Sequence, residues 1–272
     1  MKTETYNYIC QFVRKGAGIV LDESKEYLVR ARLKEVVRHY EMQDLDELGD
    51  ALKKEGNPRF GLGKYVLESM TTNETSFFRD INVYKSIKET LFPDLLTKNS
   101  DTRKIRFWSA AASTGQESYS LTMLWLEQFV RPNWEFHITA TDINEAVLDR
   151  ARAGRFTRME AHRGLPAKYL VKYFDEIDSM WEISEKVKKH VNFLYQNLFD
   201  PFSVPGKFDI VFCRNVLIYF DAEDKKAILK RLMEKLKPDG FLVLGSSETV
   251  FGLVDNLQGI PGGATGIYTR KP

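Results

Sequence analysis

The stretch Lys104-Ile-Arg-Phe-Trp-Ser-Ala-Ala-Ala-Ser-Thr-Gly-Gln-Glu-Ser118 constrains the fold of this chain more than any other. Ile105, Phe107 and Trp108 have the character of a short buried strand, and Ala110 to Gly115 is a tight run of small residues. Glu117 and Ser118 then open an apolar helix from Tyr119 to Val130. Strand, small-residue turn and helix make the first unit of a doubly wound α/β sheet. Small side chains let a ligand lie against the backbone, and a helix start offers N–H groups that have no partner within the helix. The same pattern also suits a βα turn with no ligand. Gly115 is the only glycine in the stretch, so the G-x-G-x-x-G fingerprint of dinucleotide binders is missing.

From Lys104 onward the chain alternates strand and helix, which predicts a mostly parallel sheet. The second strand runs from Phe136 to Thr141 and ends at Asp142. An acid there can accept both ribose hydroxyls of an adenosine cofactor, or simply cap the helix over Glu145 to Arg152. Residues 155–195 break the rhythm and predict an insert with a small antiparallel element that returns to the sheet at Val191. Asn197 and Leu198 follow at a strand end, where an amide or a backbone group could meet an adenine edge. Phe208 to Cys213 is the clearest buried strand, and it runs into Arg214-Asn-Val-Leu-Ile-Tyr-Phe220. Ligand crevices of open α/β sheets lie beyond the carboxyl ends of the strands, which places Arg214, Asn215 and Tyr219 in the right zone. Tyr219 fits a half-buried core aromatic equally well. Cys213 has no histidine partner in the pattern and suits the core better than a nucleophile. Phe241 to Gly245 and Gly266 to Arg270 predict an antiparallel pair at the sheet edge.

Residues 1–75 form a predicted all-helical domain of four helices. The second of them carries Arg30, Lys34 and Arg38 at i, i+4 spacing along one side, with Arg32 nearby. Such a row is usually a solvated helix edge, and the alternative is a docking strip for an acidic helical partner. A linker over residues 76–103 follows, reached through Met70-Thr-Thr-Asn-Glu-Thr-Ser-Phe-Phe-Arg-Asp80. Polar donors and acceptors packed against two phenylalanines favour a binding loop over a bland connection. The third segment is the α/β domain, residues 104–272.

Composition excludes several classes. A net charge of +2 over 272 residues gives no global pull toward nucleic acid. The two cysteines and four histidines match no metal or redox spacing, so no metal is expected, and a reducing cytosol fits. No apolar run approaches the roughly 18 residues of a membrane span.

Five stretches, taken in order, resemble the CheR family of chemotaxis receptor glutamate O-methyltransferases. They are Thr71-Thr-Asn-Glu-Thr-Ser-Phe-Phe-Arg79, Trp108-Ser-Ala-Ala-Ala-Ser-Thr-Gly-Gln-Glu117, Thr141-Asp-Ile143, Gln196-Asn-Leu198 and Cys213-Arg-Asn-Val-Leu-Ile-Tyr-Phe220. The resemblance spans essentially the whole chain. It implies a small helical N-terminal domain followed by a Rossmann-like class I methyltransferase domain with a β-subdomain inserted over about 155–195. The implied cofactor is S-adenosyl-L-methionine, with S-adenosyl-L-homocysteine as product. By that resemblance Asn73, Thr75 and Arg79 contact the cofactor from the interdomain loop, Glu117 holds its methionine end and Asp142 takes the ribose. Asn197, Leu198, Arg214 and Asn215 line the adenine and the remaining contacts, while Arg79 and Tyr219 position the methyl acceptor. Arg30, Lys34 and Arg38 would face the receptor. The implied partner is the cytoplasmic helical region of chemoreceptors, and the implied location is the cytoplasm, at the periphery of receptor arrays.

Some positions depart from the family pattern. Ser118 stands where many members have proline, Ala112 where cysteine or serine is common, and Gln116 where glutamate is frequent. Asp175 to Ser179 has no glycine, unlike the loop of members that tether to a receptor's C-terminal peptide, which argues against tail tethering here. Two rival functions use the same cofactor: methylation of RNA or a small molecule, and sensing without catalysis. A nicotinamide oxidoreductase is disfavoured by the missing glycine fingerprint.

Overall fold

The computed structural model describes residues 1–271. The chain divides into two compact units, Met1–Thr72 with Ile218–Lys225, and Asn73–Leu217 with Lys226–Pro272.

The first unit is helical: α1 (Thr3–Ala17), α2 (Glu26–His39), α3 (Leu45–Glu55) and α4 (Gly61–Met70). Apolar residues at helical spacing make its core, including Ile9, Val13, Val29, Leu33, Val36, Leu48, Leu52 and Val66, all fully buried. Gly18 ends α1 at φ 71°, and Asp44 caps α3 by accepting from the N–H groups of Asp46 and Glu47. Arg32 is a structural tie: its guanidinium donates to the Met70 carbonyl at 2.6 Å and the Thr72 hydroxyl at 2.7 Å. The segment Ile218–Lys225 joins this unit through Arg14, which bonds the carboxylates of Asp221 and Asp224.

The second unit starts with the loop from Asn73 and a bent helical run, α5 (Ile81–Ser86) and α6 (Phe92–Lys98), joined by a π turn over Ile87–Leu91. Pro93 does not stop the run, because it lies in the first turn of α6, where its missing N–H costs little. The wider turn shows in the Phe92 N–H, which reaches back to the Ile87 carbonyl.

The sheet follows. β1 (Lys104–Ala110), α7 (Gln116–Gln128), β2 (Glu135–Asp142) and α8 (Glu145–Ala153) lead into the insert. The insert holds β3 (Arg155–Thr157), α9 (Arg158–His162), α10 (Ala167–Tyr173), β4 (Phe174–Ile177) and β5 (Met180–Ile183). After α11 (Glu185–Lys188) the chain returns through β6 (Val191–Tyr195), β7 (Phe208–Cys213), α12 (Ala222–Lys235), β8 (Leu236–Leu244), β9 (Leu257–Gly259) and β10 (Ile267–Arg270).

The main sheet has seven strands in the order β6-β2-β1-β7-β8-β10-β9. The first five are mutually parallel, and β10 runs antiparallel to both its neighbours. This is the expected Rossmann-like sheet with an antiparallel edge. All six residues of β7 are buried, as a central parallel strand requires. The insert forms a separate antiparallel sheet, β3-β5-β4. Its β4–β5 hairpin turns through Asp178 and Ser179 at φ 50° and 62°, a two-residue turn made without glycine.

Two phenylalanines join the leading loop to the insert. Phe77 is fully buried, with ring centroids 5.0 Å from Phe156 and 5.6 Å from Phe174. Phe78 stacks on Tyr169 at 4.9 Å and leans on Tyr84 at 5.0 Å. Gly164, at φ +84°, allows this approach, since a Cβ there would lie 2.2 Å from the Phe77 carbonyl oxygen.

Phe77→Ala should therefore lower the unfolding free energy by about 3–5 kcal/mol in urea titration. A loss under about 1 kcal/mol would mean that this ring is not what anchors the loop.

Candidate functional site

The strand order reverses between β1 and β7, whose last residues, Ala110 and Cys213, are Cα partners. The chain segments leaving those two strands must splay apart, and a crevice opens beyond them. Three segments meet there. The first is the turn from β1 to α7, where Ala111, Ser113 and Gly115 adopt φ of 60°, 50° and 90°. The second is the start of the β7 exit, with Asn215 at φ 57°. The third is the leading loop, with Phe78 at 48° and Asp80 at 64°. Left-handed backbone costs a non-glycine residue roughly 1–2 kcal/mol. Five such residues in three adjoining segments mark a place where the surroundings dictate the backbone.

Arg214 binds the three segments together, and its side chain is only 3% exposed. One guanidinium nitrogen donates to Glu117 Oε2 at 2.9 Å. The other donates to Asp80 Oδ2 at 2.6 Å and to the Arg79 carbonyl at 2.9 Å. Glu117 Oε1 also accepts from the Ser109 hydroxyl at 2.9 Å, which fixes the rotation of its carboxylate. Burial works against the Arg214 charge, but Glu117 and Asp80 outweigh it and raise the pKa above its ordinary value. Two carboxylates around one guanidinium leave one net negative charge, which suits a cationic ligand. Arg214 Nε is a buried donor with no partner in this network.

Asp142 ends β2 and is 6% exposed. Its Oδ2 accepts from the Ser113 N–H at 2.8 Å and its Oδ1 from the Asn144 N–H at 3.0 Å. The helix cap of α8 belongs to Asn144, whose side chain accepts from Val147 N–H. The Ser113 hydroxyl in turn donates to the Asn73 carbonyl at 2.8 Å. Asn73, Ser113 and Asp142 thus form one chain of contacts across loop, turn and strand. Arg79 Nη1 donates to the Glu74 carbonyl at 3.2 Å within its own loop, and Thr75 is half-buried there. Gly115 is packed tightly: a Cβ would come 3.0 Å from Phe193 and 3.1 Å from Tyr119.

The structure therefore brings Asn73, Arg79, Glu117, Asp142, Arg214 and Asn215 to one end of the sheet. Asn197 and Leu198 follow β6 at that same end, where the Asn197 Oδ1 accepts from Phe199 N–H at 2.9 Å and the Leu198 carbonyl accepts from Arg231. Tyr219 belongs to the helical unit, where its carbonyl accepts from Val20 N–H at 3.0 Å. In that unit Arg30, Lys34 and Arg38 are exposed on α2. Arg30 pairs with Glu26 at 2.6 Å and Arg38 with Glu35 at 2.5 Å. Cys213 is fully buried, and burial pushes its thiol well above the ordinary range, so it supplies no thiolate.

Sequence reasoning missed Glu248, which is 6% exposed. Its carboxylate accepts from four backbone N–H groups: Asn215 at 2.8 Å, Val216 at 2.9 Å, Leu217 at 2.7 Å and Gly245 at 2.7 Å. It ties the exit of β7 to the exit of β8 and holds Asn215 in its left-handed state. The available signal was an acid in Gly245-Ser-Ser-Glu248, just past a buried strand on the crevice side. Asp80 was not singled out either, although it is the last residue of the predicted binding loop.

The arrangement fits an adenosyl amino acid. It offers a buried acid at the end of β2, a tight turn with N–H groups at the start of α7, and a net negative cluster beside that turn. Among the described residues no group of His, Cys, Asp and Glu could hold a metal ion. Family comparison agrees on the ligand. Residues 73–264 match "CheR methyltransferase, SAM binding domain", and residues 4–60 match "CheR methyltransferase, all-alpha domain". Chemotaxis protein methyltransferase Cher2 of Pseudomonas putida is 39% identical over 267 residues, covering 96% of this chain and 95% of the relative. Chemotaxis protein methyltransferase 1 of Pseudomonas aeruginosa is 40% identical, covering 96% and 95%. The Vibrio cholerae protein of the same name is 41% identical, covering 94% and 92%.

Glu248→Ala should cost about 3 kcal/mol or more in chemical unfolding, since each orphaned buried donor costs roughly 1–3 kcal/mol. Glu248→Gln, which keeps one acceptor oxygen, should cost less. Equal and small losses in both would show that the β7 exit is held by something else.

Proposed function

The chain belongs to the CheR methyltransferase family, and from that premise we propose that it methylates glutamate side chains on the cytoplasmic helices of chemoreceptors, forming glutamate methyl esters during chemotactic adaptation. The observation that carries this reading is the near full-length match to relatives named as chemotaxis protein methyltransferases, over both the helical and the S-adenosylmethionine-binding parts. No helix among the described residues is long and apolar enough to cross a membrane.

Bound S-adenosylmethionine supplies a methyl group on a positively charged sulfur. The chain's own task is then to bind, align and keep out water. Asp142 takes the ribose hydroxyls from the end of β2. Glu117 takes the ammonium of the methionine end, and Arg214, which bonds Glu117, joins the remaining cofactor contacts. Asn73, Thr75 and Arg79 contact the cofactor from the leading loop, and Asn197, Leu198 and Asn215 line the adenine and the remaining contacts. Arg79 and Tyr219 orient the acceptor carboxylate.

No general base is needed for this chemistry. A glutamate side chain has a reference pKa of about 4.3 and is already an anion near neutral pH. In-line alignment can contribute up to about 7–11 kcal/mol of the rate enhancement. Acceptor and donor carry opposite charges that cancel during transfer, so a strongly charged pocket would favour the reactants over the transition state. A single net charge in the Glu117–Arg214–Asp80 group is consistent with that demand. The basic row on α2 would meet acidic receptor helices before the reaction.

The test is transfer of tritiated methyl to receptor cytoplasmic fragments, with mass spectrometry to find the modified residue. Base-labile label on glutamate is expected. Alkali-stable label on RNA, or cofactor binding with no transfer to any fragment, would overturn the assignment. Arg79→Ala should reduce turnover at least roughly a hundredfold, the scale of misplacing one reacting group, with an unchanged unfolding midpoint. Turnover near wild type would remove Arg79 from the site. Reversing the charges of Arg30, Lys34 and Arg38 together should weaken binding of receptor fragments and spare cofactor affinity. Loss of both at once would signal misfolding instead.

A further inference from the structure

The crevice occupies the carboxyl ends of the strands, and a second cavity of about 330 Å³ lies at their other end. Arg106, His137, Thr139, His190, Asn192 and Gly206 are among the residues that line it, with Lys189 beside them. Its origin is topological. A parallel crossover usually carries a helix that covers the sheet. Between β6 and β7, residues 196–207 form turns and extended chain only, so one face of β1, β2 and β6 is left bare at its amino-terminal half. The first half of β2 shows the result in its alternating exposed and buried residues. Thr139 pairs with Asn192 and Arg106 pairs with His137 across that bare face.

The exposed positions are cationic or polar, and the cations are not neutralised. The nearby acids are engaged elsewhere: Glu135 with Lys104 at 3.1 Å, Asp209 with Lys237 at 2.6 Å, and Glu182 and Glu185 with Lys188. Among the described residues, the side chains of Arg106, His137, Lys189 and His190 have no carboxylate partner, although the Arg106 backbone N–H donates to Asp209 at 2.8 Å. The two imidazoles lie 6.2 Å apart. His190 Nδ1 bonds the Phe136 carbonyl at 2.9 Å, which fixes its ring and turns Nε2 away from that bond. Burial, reinforced by Lys189 and His137, holds His190 below its ordinary range. Arg106 and Lys189 are thus two cations at one cavity that no acidic side chain offsets.

We propose that this cavity binds a small ligand carrying two or more phosphoryl groups, at a site separate from the methyl-transfer crevice. Arg106 offers a planar fork of donors and Lys189 a point charge, the two complementary ways of holding phosphoryl oxygens. The Asn192 amide and the Thr139 hydroxyl add neutral donors around them. A volume of about 330 Å³ falls in the range of small-molecule pockets and is far short of a docking surface for a folded partner.

The experiment is calorimetric titration of the full chain with sodium tripolyphosphate, at physiological ionic strength and with saturating S-adenosylhomocysteine. One saturable site is expected, with the same affinity whether or not the homocysteine compound is present. Arg106→Glu combined with Lys189→Glu should weaken it roughly tenfold or more without moving the unfolding midpoint. Absence of saturable binding, unchanged affinity in the double variant, or displacement by S-adenosylhomocysteine would each overturn the proposal. Binding to vesicles containing phosphatidylglycerol but not to tripolyphosphate would also overturn it, by making the face a membrane surface.

Discussion

The buried guanidinium of Arg214 is the constraint on which the rest of the site depends. It is withdrawn from water between two carboxylates and a backbone carbonyl that come from two other segments, the leading loop and the start of α7. A charge so enclosed is tolerable only while every partner is in place, and removing one partner from such a group typically costs about 3–5 kcal/mol. The leading loop, the start of α7 and the exit of β7 are therefore not three independent decorations of a sheet. Each is required to complete the solvation of one side chain.

That requirement explains why strained backbone collects in the same place. Phe78, Asp80, Ala111, Ser113 and Asn215 adopt conformations that their side chains disfavour, within the segments that Arg214, Asp142 and Glu248 hold. Carboxylates accepting backbone N–H groups recur as the restraining device. Asp142 holds the turn after β1, and Glu248 holds the chain after β7. The aromatic contacts of Phe77 and Phe78 attach the leading loop to the insert on its other side. Pre-set backbone of this kind spares the protein the cost of ordering these segments when a ligand enters.

Much of this was legible in the sequence, for identifiable reasons. The strand–turn–helix at Lys104 to Ser118, the largely apolar β7 and the acid at the end of β2 follow from periodicity and residue size, which are local properties. The aromatic–polar mixture of the leading loop was visible for the same reason. Glu248 was not, because three of its four partners lie about thirty residues upstream and all four are backbone groups, which have no sequence signature. The turn at Asp178 and Ser179 was also hidden: both residues take the left-handed conformation that glycine usually signals. The π turn ahead of Pro93, which carries the helix through, has no local residue pattern to mark it. The bare face behind the 330 Å³ cavity could not be foreseen either, since it arises from a helix that the β6–β7 connection lacks.

The central claim is that the leading loop, the turn after β1 and the exit of β7 act as one ligand-holding unit around Arg214. Hydrogen–deuterium exchange with and without S-adenosylhomocysteine tests this most directly. The account predicts that the amides of residues 73–80, 111–118 and 214–217 gain protection together, while those lining the cavity at the opposite end of the strands do not change. Protection confined to one of the three segments, or found in none of them, would contradict it.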